Sequence, residues 1–283
     1  MEKEQDYISW HPAFVEALQL ELEEYGDYLE FHRGYQLSSE PLKIDCVVIK
    51  KFKDVEIEKN IAAIFRETNI LEYKSPGDYV SIPDFYKVYG YACLYAYLNK
   101  TQVTDMTISF VESRNPRRLI RHLRKIRGYK VEERQRGIYN VSGDVLAIQI
   151  IDSRLLEPEE NLWLRGLGRG LNTAMLASVV DAAALKAKGT LLDAYIDVVF
   201  RANNEVLEDV MKKSKSASSL EEVLIRTGLV AKWEARGEAR GEERGEASKA
   251  LDIAKNLVKL GLPAETIISA TQLEPEKVME LYK

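Results

Sequence analysis

Cysteine is scarce in this chain of 283 residues, which holds two, Cys46 and Cys93. Two are too few for a disulfide framework or a thiolate zinc site. Both stand in apolar runs, so they are expected to be buried thiols in a reducing compartment. Histidine is sparse as well, and His122, alone inside a basic run, is assigned no chemistry. No stretch reaches about 18 uncharged apolar residues, so no membrane span is expected. The opening Met1-Glu2-Lys3-Glu4-Gln5-Asp6 is polar and acidic, unlike a signal peptide, and a cytoplasmic location is expected. Positive charge is not in surplus either. The chain has 40 Lys and Arg against 45 Asp and Glu, a formal net charge of -5. A passive nucleic-acid coat would be basic overall, whereas an enzyme with a local basic groove need not be. The 46% hydrophobic content is ordinary for a globular protein. The length suits one large domain with an appendage, or two domains.

The chemistry concentrates in residues 43–74. The segment opens with Lys43-Ile44-Asp45-Cys46-Val47-Val48-Ile49 and closes with Asn69-Ile70-Leu71-Glu72-Tyr73-Lys74. Each half reads as a short buried strand. Asp45 interrupts the first. Glu72 and Lys74, two apart on the second, point to one face of a sheet. Charges buried in strands are costly without partners. A divalent metal held by two carboxylates and a backbone carbonyl would supply one, and a lysine beside it would assist water or phosphoryl charge. The bland alternative is a surface strand whose Glu and Lys solvate its exposed face.

The pattern of Asp45 followed by Glu72-Tyr73-Lys74 resembles the PD-(D/E)XK nuclease superfamily and, within it, the bacterial recombination-promoting (Rpn-like) nucleases, also described as transposase-like proteins. The resemblance runs from Trp10-His11-Pro12-Ala13-Phe14 to about Ser153. Ile44 departs from the proline that often precedes the aspartate. The resemblance implies a metal-dependent endonuclease acting on DNA, linked to recombination or mobile elements. It implies Mg²⁺, or Mn²⁺, held by Asp45, Glu72 and the Tyr73 carbonyl, with Lys74 serving the reacting phosphate. Many members carry a further acidic residue on the first helix. Periodicity favours Glu21 for that place, with Glu16 as the fallback and a solvated surface carboxylate as the alternative for either. Some relatives carry Q-x-x-x-Y on the helix after the E-x-K. Here Lys87 and Tyr91 occupy those positions. Lys87 reads as a phosphate contact, a partner of Glu72, or a lysine at the rim of a buried helix.

The rest of the chain predicts an α/β fold: a mixed central sheet flanked by helices, with an all-helical C-terminal extension. A first helix is expected over 12–25, with Phe14, Val15, Leu18, Leu22 and Tyr25 on one side. Strands follow at 29–37, around Asp45 and at 61–74, with a charged, exposed turn over 50–60. Ser81-Ile82-Pro83-Asp84 has a capping-box pattern and opens a helix to about residue 98, apolar almost all round. A strand is expected over 103–111. The helix after Asn115-Pro116 carries Arg117, Arg118 and Arg121 away from a stripe of Leu119, Ile120, Leu123 and Ile126. It reads either as a contact for a phosphate backbone or as a solvated face. Three more strands fall near 129–133, 137–141 and 145–151.

Residues 158–213 read as helical, with Trp163 and the glycines at 166, 168 and 170 at entry turns. Residues 212–219 look like a linker. Glu234-Ala235-Arg236-Gly237 begins a four-residue charged repeat, read as a semi-flexible helical stalk. Residues 250–282 read as a miniature helical module. The expected division is a nuclease-like core over 1–155, a helical extension over 156–215 and the stalk with its module over 216–283. DNA is the expected partner, membrane is not, and the helical C-terminal region offers a self-association surface. Two rivals stand beside the nuclease: an inactive nuclease-like fold that binds DNA or protein, and a transposition or partner-recruiting protein that works through its tail.

Overall fold

The computed structural model describes residues 10–33, 46–52, 55–186, 192–213, 216–231, 233, 235, 250–251, 253–255, 258 and 263–281. The chain divides into two compact units, residues 1–223 and 224–283. The first is a mixed α/β structure. Its strands, among the described residues, are β1 (Leu29–Arg33), β2 (Val47–Lys51), β3 (Thr68–Tyr73), β4 (Met106–Glu112), β5 (Lys130–Gln135), β6 (Ile138–Ser142) and β7 (Ala147–Asp152). They form one sheet in the order β1-β2-β3-β4-β7-β6-β5. β3, β4 and β7 run parallel, and the outer pairings are antiparallel. The parallel strands are buried along both faces, which explains their continuous apolar runs. One polar exception, Asn69, is hydrogen-bonded to both neighbouring strands. Asn69 accepts from Thr107 Oγ1 at 2.8 Å and donates to the Ile49 carbonyl at 3.1 Å, tying β3 to both neighbours.

Helices cover both faces. α1 (Trp10–Glu21) precedes the sheet, α2 (Ile82–Asn99) joins β3 to β4, and α3 (Arg117–Lys125) joins β4 to β5. After β7 come α4 (Pro158–Gly166), α5 (Thr173–Ala184), α6 (Asp193–Ala202), α7 (Asn204–Lys213) and α8 (Ala217–Thr227). α4 and α6 pack on α1, so the helical extension covers the first helix. α2 begins with the expected capping box: Asp84 N donates to Ser81 Oγ at 3.2 Å, and Ser81 N to Asp84 Oδ2 at 2.9 Å. No described helix is long and apolar enough to cross a membrane.

Several local expectations are corrected. α1 begins two residues earlier than its first-turn proline implies and ends at Glu21, and residues 23–28 tighten into a 3-10 turn. β3 is shorter than residues 61–74, because Asn60–Ala62 forms a 3-10 turn. β4 likewise starts after a 3-10 turn, Val103–Asp105. α2 is not buried all round: Phe85, Val88, Ala92 and Tyr95 enter the core, whereas Tyr86, Cys93 and Tyr97 are exposed. Cys93 is therefore not the buried thiol expected, although Cys46 is. Ile126 lies at the end of α3 and is exposed, so the stripe of that helix is shorter than read. The expected linker holds helix instead: Lys213 ends α7, Ala217 starts α8, and buried Ser216 donates to Asp181 at 2.7 Å.

The second unit holds α9 (Ala264–Thr271) and α10 (Pro275–Glu280). Ala254, Ile267 and Val278 form its small core, with Ile268, Leu273 and Leu281 packed against them. Residues 236–249, which hold most of the charged repeat, lie outside the described residues.

Candidate active site

Glu72 is the penultimate residue of β3, near its carboxyl end, and is 3% exposed. The strand alternation sets it beside Lys74 on one face and sends Tyr73 to the other, where its ring stacks on Phe14 of α1 at 4.3 Å. The Lys74 ammonium lies 3.3 Å from Glu72 Oε1, and Lys87 of α2 reaches the same oxygen at 3.2 Å. Cys46 Sγ donates to Glu72 Oε2 at 3.0 Å. Both carboxylate oxygens are engaged, which offsets the cost of burying the charge.

The α2 cap also builds the site. Asp84, whose Oδ2 closes the capping box, accepts from Lys74 Nζ through Oδ1 at 2.9 Å. Asp78 adds a third carboxylate 3.8 Å from Lys74. Burial alone would lower the Lys74 ammonium, but Asp84 and Glu72 outweigh it and hold its pKa above the usual lysine value. Lys87 behaves in the same way: burial lowers it, and Glu72 overrides burial. Burial raises Asp84, yet the bonds from Ser81 and Lys74 leave it below the ordinary aspartate value. At neutral pH both lysines are therefore fixed cations. They suit charge stabilisation, not proton abstraction.

These groups face a cavity of about 460 Å³ at the carboxyl end of β3. Glu72, Lys74 and Lys87 line it together with Cys46, Asp78 and His11. Open α/β sheets place their ligands at this end of their strands. His11 and Cys46 were not singled out from the sequence for this role. His11 stands on the first turn of α1, beside the ring of Tyr73 at 6.0 Å between centroids. Nothing local in the sequence marks it, because the approach of α1 to β3 is a long-range contact.

The other candidate residues are dispersed. Asp45 lies outside the described residues, although its chain neighbour Cys46 lines the cavity. Glu21 does not line it. Its Oε1 accepts from the Trp163 and Leu164 amides at 2.9 and 3.1 Å, and its Oε2 pairs with Lys59 at 2.6 Å. Burial raises the Glu21 pKa, with Lys59 and the two amides opposing. This bonding has a structural logic. α4 is broken at Asn161 (φ −138°, ψ 52°), and Glu21 satisfies amides of the helix that restarts beyond the break. Glu16 is engaged similarly, accepting from the Tyr195 amide in the first turn of α6 at 2.9 Å. Tyr91 is half-buried against the core under α2 and does not line the cavity. Arg117, Arg118 and Arg121 lie exposed along α3, away from the cavity lining.

A hard cation suits the donor chemistry of Glu72 and a main-chain carbonyl. Among the described residues alone, however, no three His, Cys, Asp or Glu side chains are grouped to hold a metal. A complete ligand set would require Asp45. Compared with protein-family models, with curated proteins and with solved structures, the chain has no match.

Proposed function

We propose that the protein is a divalent-metal-dependent endonuclease that hydrolyses DNA phosphodiester bonds at the Glu72 cavity. The observation that carries this reading is the single oxygen Glu72 Oε1, shared by Lys74 and Lys87 within one cavity at the carboxyl end of β3. Asp45, Glu72 and the Tyr73 carbonyl would hold Mg²⁺ or Mn²⁺. When bound, the metal supplies Lewis-acid stabilisation of charge on the phosphoryl oxygens. The residues do the rest. Lys74, kept protonated and oriented by Asp84, presents a fixed charge to the phosphate as its negative charge grows. Lys87 anchors the approaching phosphate from the α2 side. Substrate phosphate would compete with Glu72 for both ammoniums, so the ion pairs hold the cations in place before DNA arrives.

A second reading has its own observation. Both oxygens of Glu72 are already engaged, by two ammoniums and a thiol. A set of charges so balanced is also what an inactive, DNA-binding relative of a nuclease would keep. The deciding experiment incubates purified protein with plasmid DNA in Mg²⁺, in Mn²⁺ and in excess chelator. Metal-dependent nicking, lost in Asp45→Ala and in Glu72→Ala, is the expected result. DNA binding with no cleavage in either metal would favour the second reading, and full cleavage in chelator would overturn the metal.

A further inference from the structure

A second cavity lies beyond the β3–α2 loop, at the carboxyl ends of β4 and β7. Its volume is about 430 Å³, within the range of pockets that hold small ligands. Pro76 lines it, while Lys74, Ser75 and Asp78 of the same loop line the Glu72 cavity. Four arginines from separate segments converge on it: Arg114 after β4, Arg154 after β7, Arg165 in the last turn of α4, and Arg169 in the α4–α5 loop. Among the described residues, no carboxylate lines it. Arg154 is paired with Asp152 at 3.2 Å, and Arg169 lies 5.7 Å from the centre of the Trp10 ring. Arg114 and Arg165 have no carboxylate within ion-pair distance among the described residues. Among the described residues, four guanidiniums against one aspartate leave a surplus of three positive charges, in a chain whose formal net charge is -5.

The wall of this cavity is fixed in place. Residues 166–170 read Gly-Leu-Gly-Arg-Gly and lead into α5, whose cap Asn172 accepts from the Met175 amide at 2.8 Å and lines the cavity. A side chain at Gly166 would bring its Cβ within 2.6 Å of Tyr195 Oη, and Gly170 has φ +68°. Buried Asn203 clamps the loop from behind, donating to the Gly168 carbonyl at 2.9 Å and accepting from the Leu171 amide at 3.0 Å. A glycine-rich loop entering a helix N-terminus is a known way to cradle phosphate. Here it is joined by arginines, whose planar forks match phosphate oxygens.

We propose that this cavity binds a phosphate group carrying two or more charges: a terminal phosphate monoester of a nucleic-acid strand, or a free nucleotide or pyrophosphate. One internal phosphodiester, with a single charge, would leave most of the arginine surplus uncompensated. The site is separate from Glu72, and its test needs no cleavage. Full-length protein is titrated with inorganic pyrophosphate at constant ionic strength in buffer stripped of divalent metal. Saturable binding is expected, weakened about tenfold in Arg165→Gln, partly retained in Arg165→Lys, and unchanged in Arg134→Gln, which removes a charge from the exposed surface of β5. Arg114→Gln, on an exposed loop, serves if the α4 variant fails to fold. Competition then identifies the source. Displacement by a 5′-phosphorylated oligonucleotide, and not by its 5′-hydroxyl twin, assigns a strand end. Displacement by ATP alone assigns a free nucleotide. Absence of saturable binding, or equal weakening in Arg134→Gln, overturns the proposal.

Discussion

Glu112→Gln should change how stability depends on pH. Glu112 ends β4, is fully buried, and stands in register with buried Asp152 of β7. Its Oε2 accepts from the Val80 amide at 3.1 Å, and its Oε1 has no partner among the described residues. Burial pushes its pKa up to about 8 from an ordinary 4.5, with Asp152 and Asp78 adding to the rise and Arg154 opposing it. Below about pH 4.5 the carboxyl is protonated in both the folded and the unfolded chain, and pH has no leverage through it. Between about 4.5 and 8 the folded chain retains the proton while the unfolded chain releases it. Stability must therefore fall as pH rises through this window. At 1.36 kcal/mol for each pH unit, the loss approaches about 5 kcal/mol as an upper bound. Glutamine keeps a carbonyl for Val80 and cannot ionise. Unfolding in urea from pH 5 to 9, followed through Trp10 and Trp163 in a Trp233→Phe background, should give similar midpoints at pH 5. The variant should be the more stable by several kcal/mol at pH 9. Parallel pH profiles for the two proteins would refute the reasoning.

If Lys74 serves the transition state as proposed, Lys74→Ala should slow single-turnover cleavage at saturating DNA by about 10²–10³ and weaken binding far less; cleavage at the wild-type rate would reduce Lys74 to a structural ion pair. Glu21→Ala should cost about 3 kcal/mol of stability by removing the carboxylate that the α4 amides and Lys59 share, with the rate of the folded protein unchanged. A rate lost without any loss of stability would return Glu21 to the chemistry. Removing residues 250–283 should leave cleavage intact, since the core of that segment is formed from its own residues, and a folded but inactive truncation would refute this.

The legible parts of the sequence were those settled by neighbours a few residues away. The Ser81–Asp84 capping box formed as its spacing predicts, and the same-face placement of Glu72 and Lys74 follows from strand alternation. Local pattern failed where the partner lies far along the chain. Glu21 and Glu16 look like edge carboxylates on an amphipathic helix, yet their acceptors meet amides 142 and 179 residues away. The α4 and α6 helices that bury them have no trace in the periodicity of α1. α2 failed differently: its composition is apolar all round, but only the face toward the sheet is covered, so Cys93 and Tyr97 remain exposed. The arginine cavity left one faint signal, glycines at 166, 168 and 170 ahead of a helix cap, which reads as an entry turn until β4 and β7 bring Arg114 and Arg154 beside it.

The two cavities differ in how their cations are balanced, and this bears on how an anionic substrate would approach. Among the described residues, Lys74 and Lys87 face three carboxylates, Glu72, Asp78 and Asp84, so the Glu72 cavity projects little positive field. Of the four arginines on the other side of the same loop, one, Arg154, is paired with a carboxylate, Asp152, among the described residues. In an acidic chain, guanidiniums without a carboxylate partner among the described residues would attract a polyanion, and attraction of that kind acts on the association rate and is screened by salt. If cleavage occurs at Glu72, removing arginines across the loop should therefore raise the DNA concentration needed for half-maximal rate at low salt. The rate at saturation should stay unchanged, and the difference should shrink as salt is added. Lys74→Ala should show the opposite split. An Arg165→Gln variant that loses its saturating rate while retaining DNA affinity would show that the arginines act on the reacting phosphate itself.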